Sequence, residues 1–234
     1  MATTVFIYVA FILFAVTHLF GEIWILFQKP HGKIIRFITK PFLMPLLMVY
    51  YILSISPITA VNGWVIGGLI GGFGGDVFLM LKPPEEAKMT LKLGLLSFLL
   101  GHICYIVVLI QLAAGFHDYQ WWSAFLIIPF VLYAAIITPI LIKHTGPMTI
   151  PVVVYIAIII LMGVCTTFLW GAVAVSSVIV LTIGAWLFII SDTINAYNRF
   201  VAKIKAERLF TMSTYILAQV LIVIGVLLAK SAFF

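Results

Sequence analysis

The chain has 234 residues, 65% of them hydrophobic and only 9% charged, with a mean hydropathy of +1.27. A water-soluble domain carries roughly 25% charged residues, so these values exclude one and define an integral membrane protein. The net charge of +6, from 13 Lys and Arg against 7 Asp and Glu, is better spent on membrane topology than on nucleic acid, which is not an expected partner.

Hydrophobic runs of about 20 residues, each long enough to cross roughly 30 Å of hydrocarbon, fall near 3–27, 37–56, 60–81, 90–113, 121–142, 149–169, 172–194 and 211–230. The first, opening on "MATTVFIYVAF", lacks a basic leader and carries His18 and Glu22, so it reads as a retained helix. The third contains "GGLIGGFGGDVFLML", whose small residues four apart allow close helix approach. It lacks the Gly-Lys-Ser/Thr ending of a phosphate-binding loop. The sixth, within "VVVYIAIIILMGVCTTFLW", is apolar on every face, which a β-barrel strand is not. The expected fold is all-α: a polytopic integral membrane protein, an eight-transmembrane-helix bundle formed by a single domain over 1–234.

Basic residues sort by connection. Lys29, Lys33 and Arg36 follow the first run, Lys82, Lys88 and Lys92 the third, Lys143 the fifth, and Arg199, Lys203, Lys205 and Arg208 the seventh. The connections after the second, fourth and sixth runs contain none. By the positive-inside rule the odd connections are cytoplasmic and both termini are non-cytoplasmic. The basic loops also attract anionic headgroups of membrane lipids.

This topology gathers the polar residues into a layer. Asp76 lies about five residues before the Lys82 connection, roughly 7–8 Å along the helix axis. Asp192 falls at a similar depth near the end of the seventh run. His18 and Glu22 share a face at i, i+4, Lys40 stands at the inner end of the second helix, and Tyr215 and Gln219 lie one and two turns into the eighth. Asn195 is three residues beyond Asp192, with Asn198 and Arg199 about two turns along; His102 and Tyr105 sit nearer mid-bilayer. An ionisable residue inside a membrane is expensive and marks function. The outer half has almost no such groups, which suits a pocket open to the cytoplasmic leaflet better than an ion pathway.

Each feature has a structural reading beside the functional one. Asp76 pairs with Lys82 or Lys40, Asp192 caps a helix and pairs with Arg199, His18 and Glu22 satisfy each other, His102 packs by a hydrogen bond, and Lys40 snorkels to the interface ahead of Pro41. Cys104 and Cys165 lie in separate runs without ligand spacing and read as small buried residues. There is no HExxH, Cys pair or His-x-His run, so no metal is expected.

The blocks "TKPFLMPLL" at 39–47, "GGDVFLML" at 74–81, "FLLGHICYI" at 98–106, "SDTINAYNRF" at 191–200 and "YILAQVLI" at 215–222 resemble, in that order, those of the YhhN-like lysoplasmalogenase family. The resemblance implies an eight-helix membrane hydrolase that cleaves the vinyl-ether bond of lysoplasmalogens into a fatty aldehyde and a glycerophospho-base. It carries over Lys40, Asp76, His102, Asn195, Asp192, Arg199, Tyr215 and Gln219. His18 and Glu22 gain little from it. The implied partner is a lysophospholipid substrate, and no cofactor is called for.

A vinyl ether breaks when its β-carbon is protonated, giving an oxocarbenium ion that water captures. Two carboxyl groups in a low-dielectric site divide that labour, one as acid and the other as charge, much as in glycosidases. Asp76 and Asp192 are therefore the expected catalytic pair, which of them is the acid staying open. His102, Tyr215 and Gln219 would hold water or relay protons, and Lys40 and Arg199 would contact phosphate. The expected location is the cell (inner) membrane, multi-pass, with the active site toward the cytoplasmic side.

Two other functions compete. Intramembrane aspartyl proteases also use two aspartates, but here Phe73 stands in place of a motif glycine, Ser191 precedes the second aspartate, and no Pro-Ala-Leu follows. A proton-coupled transporter of a small or lipid-like solute would exploit a parallel repeat, since Asp76 and Asp192 are 116 residues apart. At that offset, however, His18 falls opposite Ala134 and Lys40 opposite Ile156.

Overall fold

The computed structural model describes residues 2–55, 59–81, 87–113 and 119–230. They form eight α-helices: α1 (Ala2–Leu26), α2 (Gly32–Leu53), α3 (Ala60–Met80), α4 (Ala87–Leu112), α5 (Ile127–Thr145), α6 (Thr149–Thr167), α7 (Val175–Phe200) and α8 (Glu207–Lys230). Short 3-10 turns precede α5 and join it to α6. No strand occurs among the described residues. In hydrocarbon the backbone must satisfy its own hydrogen bonds, which a helix does within one segment. Among the described residues, seven segments are long and apolar enough to cross a membrane; one of them, Trp121–Thr167, spans 47 residues and contains both α5 and α6.

Several helices extend three or more residues past the hydrophobic runs that announced them, among them α4, which starts at Ala87 instead of residue 90. α2 starts at Gly32 instead of residue 37, so Lys33 and Arg36 are helical and not part of a connection. α7 continues to Phe200, which puts Asp192 well inside it and carries Asn195, Asn198 and Arg199 on the same helix. α8 starts at Glu207, so Arg208 is in its first turn, and Tyr215 and Gln219 are about two and three turns in. Hydropathy falls where charges begin, but long basic side chains reach toward water while the backbone ladder continues beneath them. Lys82 lies outside the described residues.

The chain divides into two compact units, 1–104 and 105–234, with the boundary inside α4. In the first unit α2 packs between α1 and α3. Phe11, Leu43, Met44, Leu47, Val65 and Leu69 form its apolar interior, and the Tyr51 hydroxyl donates to Asn62 Oδ1 at 2.8 Å. Gly71 of α3 meets α4 at Gly101: a β-carbon on Gly71 would stand 2.6 Å from the Gly101 α-carbon. That approach lets Ser97 Oγ donate to the Gly71 carbonyl at 2.9 Å. Pro41 and Pro45 lie inside α2; lacking an N–H, each removes one rung of the helical ladder.

In the second unit α7 packs along α8, and α5, α6 and α7 contact one another. Phe130 stacks on Trp186 at 4.3 Å between ring centroids, with Gly163 making room for the Phe130 ring. The reversal from α5 to α6 turns on Gly146, whose φ of 52° is left-handed and suits glycine.

Candidate active site: two carboxylates with different partners

In the first unit the polar groups come from α1, α2, α3 and α4. His18 and Glu22 sit one turn apart on the inward face of α1, 0% and 4% exposed. α2 answers with Arg36 and Thr39, which its early start brings onto the same side. Arg36 Nε donates to Glu22 Oε1 at 2.6 Å while its terminal nitrogen donates to Oε2. This two-pronged pairing matches a planar guanidinium to a carboxylate. Thr39 Oγ1 spends its single proton on the Ile35 carbonyl at 2.7 Å, so the 2.9 Å contact with His18 must be donated by His18 Nδ1. The other ring nitrogen then faces Glu22 Oε1 at 3.7 Å.

The neighbouring α2 residue, Lys40, points to α3. Its Nζ lies 3.2 Å from Asp76 Oδ1, with both side chains less than a tenth exposed. Lys40 was expected at a phosphate; its ammonium is on this carboxylate. Removing either member of such a pair leaves a buried charge uncompensated, at a cost of about 3–5 kcal/mol. Gly75 lies against the ring of Phe98. His102, buried in α4, donates from Nδ1 to the Phe98 carbonyl at 2.7 Å, the packing arrangement weighed for it from sequence.

In the second unit Asp192 is half-buried on α7 and accepts a 2.5 Å hydrogen bond at Oδ2 from the Tyr155 hydroxyl of α6. The adjacent Ser191 Oγ donates to the Thr211 carbonyl at 2.9 Å, tying α7 to α8 at this level. Asn198 braces the turn between those helices: its Oδ1 accepts the Ile204 N–H at 2.9 Å and its Nδ2 donates to Glu207 Oε2 at 3.2 Å. Arg199 lies within electrostatic range of Arg208 and Glu207. Asn195 is half-buried on the same helix.

Deeper in this unit Gln219, fully buried, accepts a 2.6 Å hydrogen bond at Oε1 from the Tyr105 hydroxyl. Tyr105 also lines a small apolar cavity with Leu109, Met162, Leu181, Ala185 and Ile222. Tyr215 is buried with its ring edge-on to Phe188, the centroids 5.5 Å apart. Among the described residues no three His, Cys, Asp or Glu side chains group as a metal site would require.

The structure thus joins Lys40 to Asp76 and His18 to Glu22. It adds Arg36, Thr39 and Tyr155, which were not singled out from the sequence. Arg36 was legible as the residue one turn before Lys40, had the helix been started earlier. Tyr155 carried a fainter signal: the one hydroxyl between Pro151 and Val164, easily read as one more aromatic.

Membrane-length apolar helices, several of whose buried polar side chains pair with one another, define a multi-pass helical membrane protein. The family model described as the YhhN family matches residues 35–226, and the chain belongs to that family. No curated protein and no solved structure matches the chain. The matched segment holds Lys40, Asp76, His102, Asp192 and Gln219, while His18 and Glu22 precede it.

Proposed function

We propose that this protein is a membrane hydrolase that cleaves the sn-1 vinyl-ether bond of a lysoplasmalogen, releasing a fatty aldehyde and a glycerophospho-base. The observation that carries this reading is the family match over residues 35–226, which includes every polar block of the resemblance. The reaction adds one proton to the β-carbon of the enol ether and one water oxygen to the α-carbon. The resulting hemiacetal collapses to aldehyde and alcohol.

The chemistry asks for a carboxylic acid to deliver the proton and a negative charge to favour the oxocarbenium ion. Asp76 and Asp192 are the carboxyl groups assigned to those tasks. Their surroundings support a division of labour, since one is partnered by an ammonium and the other by a phenol. Arg199, with Arg208 nearby, is assigned to the substrate phosphate, and Asn195 to the same end of α7. His102, Tyr215 and Gln219 are assigned supporting roles. Eight crossings with both termini outside the cytoplasm, and a site toward the cytoplasmic leaflet, complete the proposal.

The deciding experiment is fatty-aldehyde release by detergent-purified protein from a lysoplasmenyl lipid, with the saturated alkyl-ether lysolipid as control. Aldehyde from the vinyl ether alone is the expected result. Folded protein that releases none, but drives proton-coupled uptake in proteoliposomes, would replace hydrolysis with transport. Orientation is tested separately by an impermeant thiol reagent on intact cells, using cysteine at Ala2 or Lys203 in a chain lacking Cys104 and Cys165. Labelling at Lys203 and not at Ala2 would reverse the topology.

A further inference from the structure

We propose that the corner between α1 and α2 binds one anionic phospholipid of the surrounding bilayer, with the phosphate at Lys29 and Lys33 and an acyl chain along the outward face of α2. The site shares no residue with the proposed hydrolytic groups. Its backbone is tightly turned. The Lys29 N–H donates to the Trp24 carbonyl at 2.8 Å, and a β-carbon on Gly32 would stand 2.8 Å from the Gly21 carbonyl oxygen, so the two helices touch where the chain reverses. Gly32 is buried at that contact, while Lys29, His31 and Lys33 around it are exposed. The His31 ring stands edge-on to Trp24, the centroids 6.3 Å apart. Among the described residues of the first unit no carboxylate is exposed: Glu22 is held by Arg36, and Asp76 faces Lys40. Those internal pairs leave the positive charge of the corner on its surface.

The helix below the lysines supplies the apolar half. Residues four apart line up along a helix face, so Phe37 follows Lys33 in one row, and Ile34, Ile38 and Phe42 form the row beside it. All four apolar side chains are more than half exposed. Phe42 closes its row against Phe14 of α1, with ring centroids 5.7 Å apart. From Lys33 to Phe42 the strip rises about 13 Å, close to half of the roughly 30 Å hydrocarbon core and so to the chain length of one leaflet. A cation at the head of an exposed apolar strip, on a helix of membrane length, matches a molecule with a phosphate at one end and a hydrocarbon chain below it. Free phosphate would use the lysines and leave the strip untouched. A second copy of the chain, packed symmetrically, would bring two cationic corners to the same depth, where they repel. Each lysine near an anionic lipid strengthens the attraction about fivefold.

Lipid titrations of the purified full-length protein, followed by native mass spectrometry and thermal unfolding, test the site with phosphatidylglycerol and phosphatidylcholine of identical acyl chains. Wild-type protein is expected to retain phosphatidylglycerol and to melt higher with it than with phosphatidylcholine. Lys29→Gln/Lys33→Gln is expected to weaken phosphatidylglycerol binding about 30-fold and to abolish that difference in melting temperature. Lys29→Arg/Lys33→Arg is expected to keep both, as is Lys203→Gln/Lys205→Gln, which removes the same charge from the turn between α7 and α8. Phe37→Ala is expected to retain less phosphatidylglycerol than wild type, because it removes part of the strip. Equal shifts with the two lipids, equal losses in the two glutamine variants, or equal protection by inorganic phosphate each overturn the proposal. A dimer in the same spectra that Phe37→Ala dissolves would give the face to a second copy instead. Should Lys29→Gln/Lys33→Gln fail to fold, phosphatidylglycerol retention by Phe37→Ala decides, and wild-type retention there overturns the site.

Discussion

Lys40 and Asp76 hold an ammonium and a carboxylate 3.2 Å apart in the interior of the first unit, the one on α2 and the other on α3. Separated, each is a buried charge without its counter-ion. Lys40→Met and Asp76→Asn are each expected to cost about 3–5 kcal/mol, and the double variant to recover part of that loss. Unfolding followed in detergent provides the cycle; strictly additive losses would show that the pair does not couple.

Neutralising either aspartate tests the chemistry in the protein that still folds. Asp192→Asn and Asp76→Asn are expected to lower aldehyde release by at least about 100-fold in protein that still runs as a folded species on size exclusion. Near wild-type turnover in either folded variant would remove that residue from the mechanism.

Arg36 stands apart from the reaction in this account. It satisfies both oxygens of Glu22, which is nearly inaccessible to solvent. Arg36→Gln is expected to destabilise the first unit by about 3–5 kcal/mol while KM for the lysolipid stays at its wild-type value. A raised KM with unchanged stability would move Arg36 from the scaffold to the substrate.

The glycines of α3 are not equivalent. A β-carbon at Gly71 would collide with α4 backbone, whereas one at Gly63 meets nothing within 4 Å. Gly71→Ala is expected to destabilise by about 1–3 kcal/mol, and Gly63→Ala to stabilise by about 0.5–1 kcal/mol through helix propensity. Equal melting temperatures for the two variants would contradict the close approach of Gly71 to Gly101.

Much of the fold was legible in the sequence because hydrophobic length alone dictates a membrane helix. Where it misled was at helix ends. Arg36 and Arg199 lower local hydropathy and looked like loop residues, yet both are helical, because hydropathy records the side chain and helicity depends on the backbone. Lys40 as a partner for Asp76 was among the pairings the sequence allowed, but nothing in it ranked Lys40 above Lys82. That ranking needs the lateral order of helices, which puts α2 beside α3. Tyr155 was hidden for a similar reason: its hydroxyl matters only because α6 lies against α7.

Pro41 and Pro45 give α2 a property that its neighbours lack. Four residues apart, they withdraw the helical donors of the Phe37 and Pro41 carbonyls, two successive rungs on one side. Lys40 is carried in the middle of that gap. With those two rungs absent, the position of Lys40 depends more on the helices that α2 packs between, α1 and α3. The Lys40 ammonium that meets the Asp76 carboxylate is thus carried on a stretch of α2 whose helical ladder is interrupted along one side.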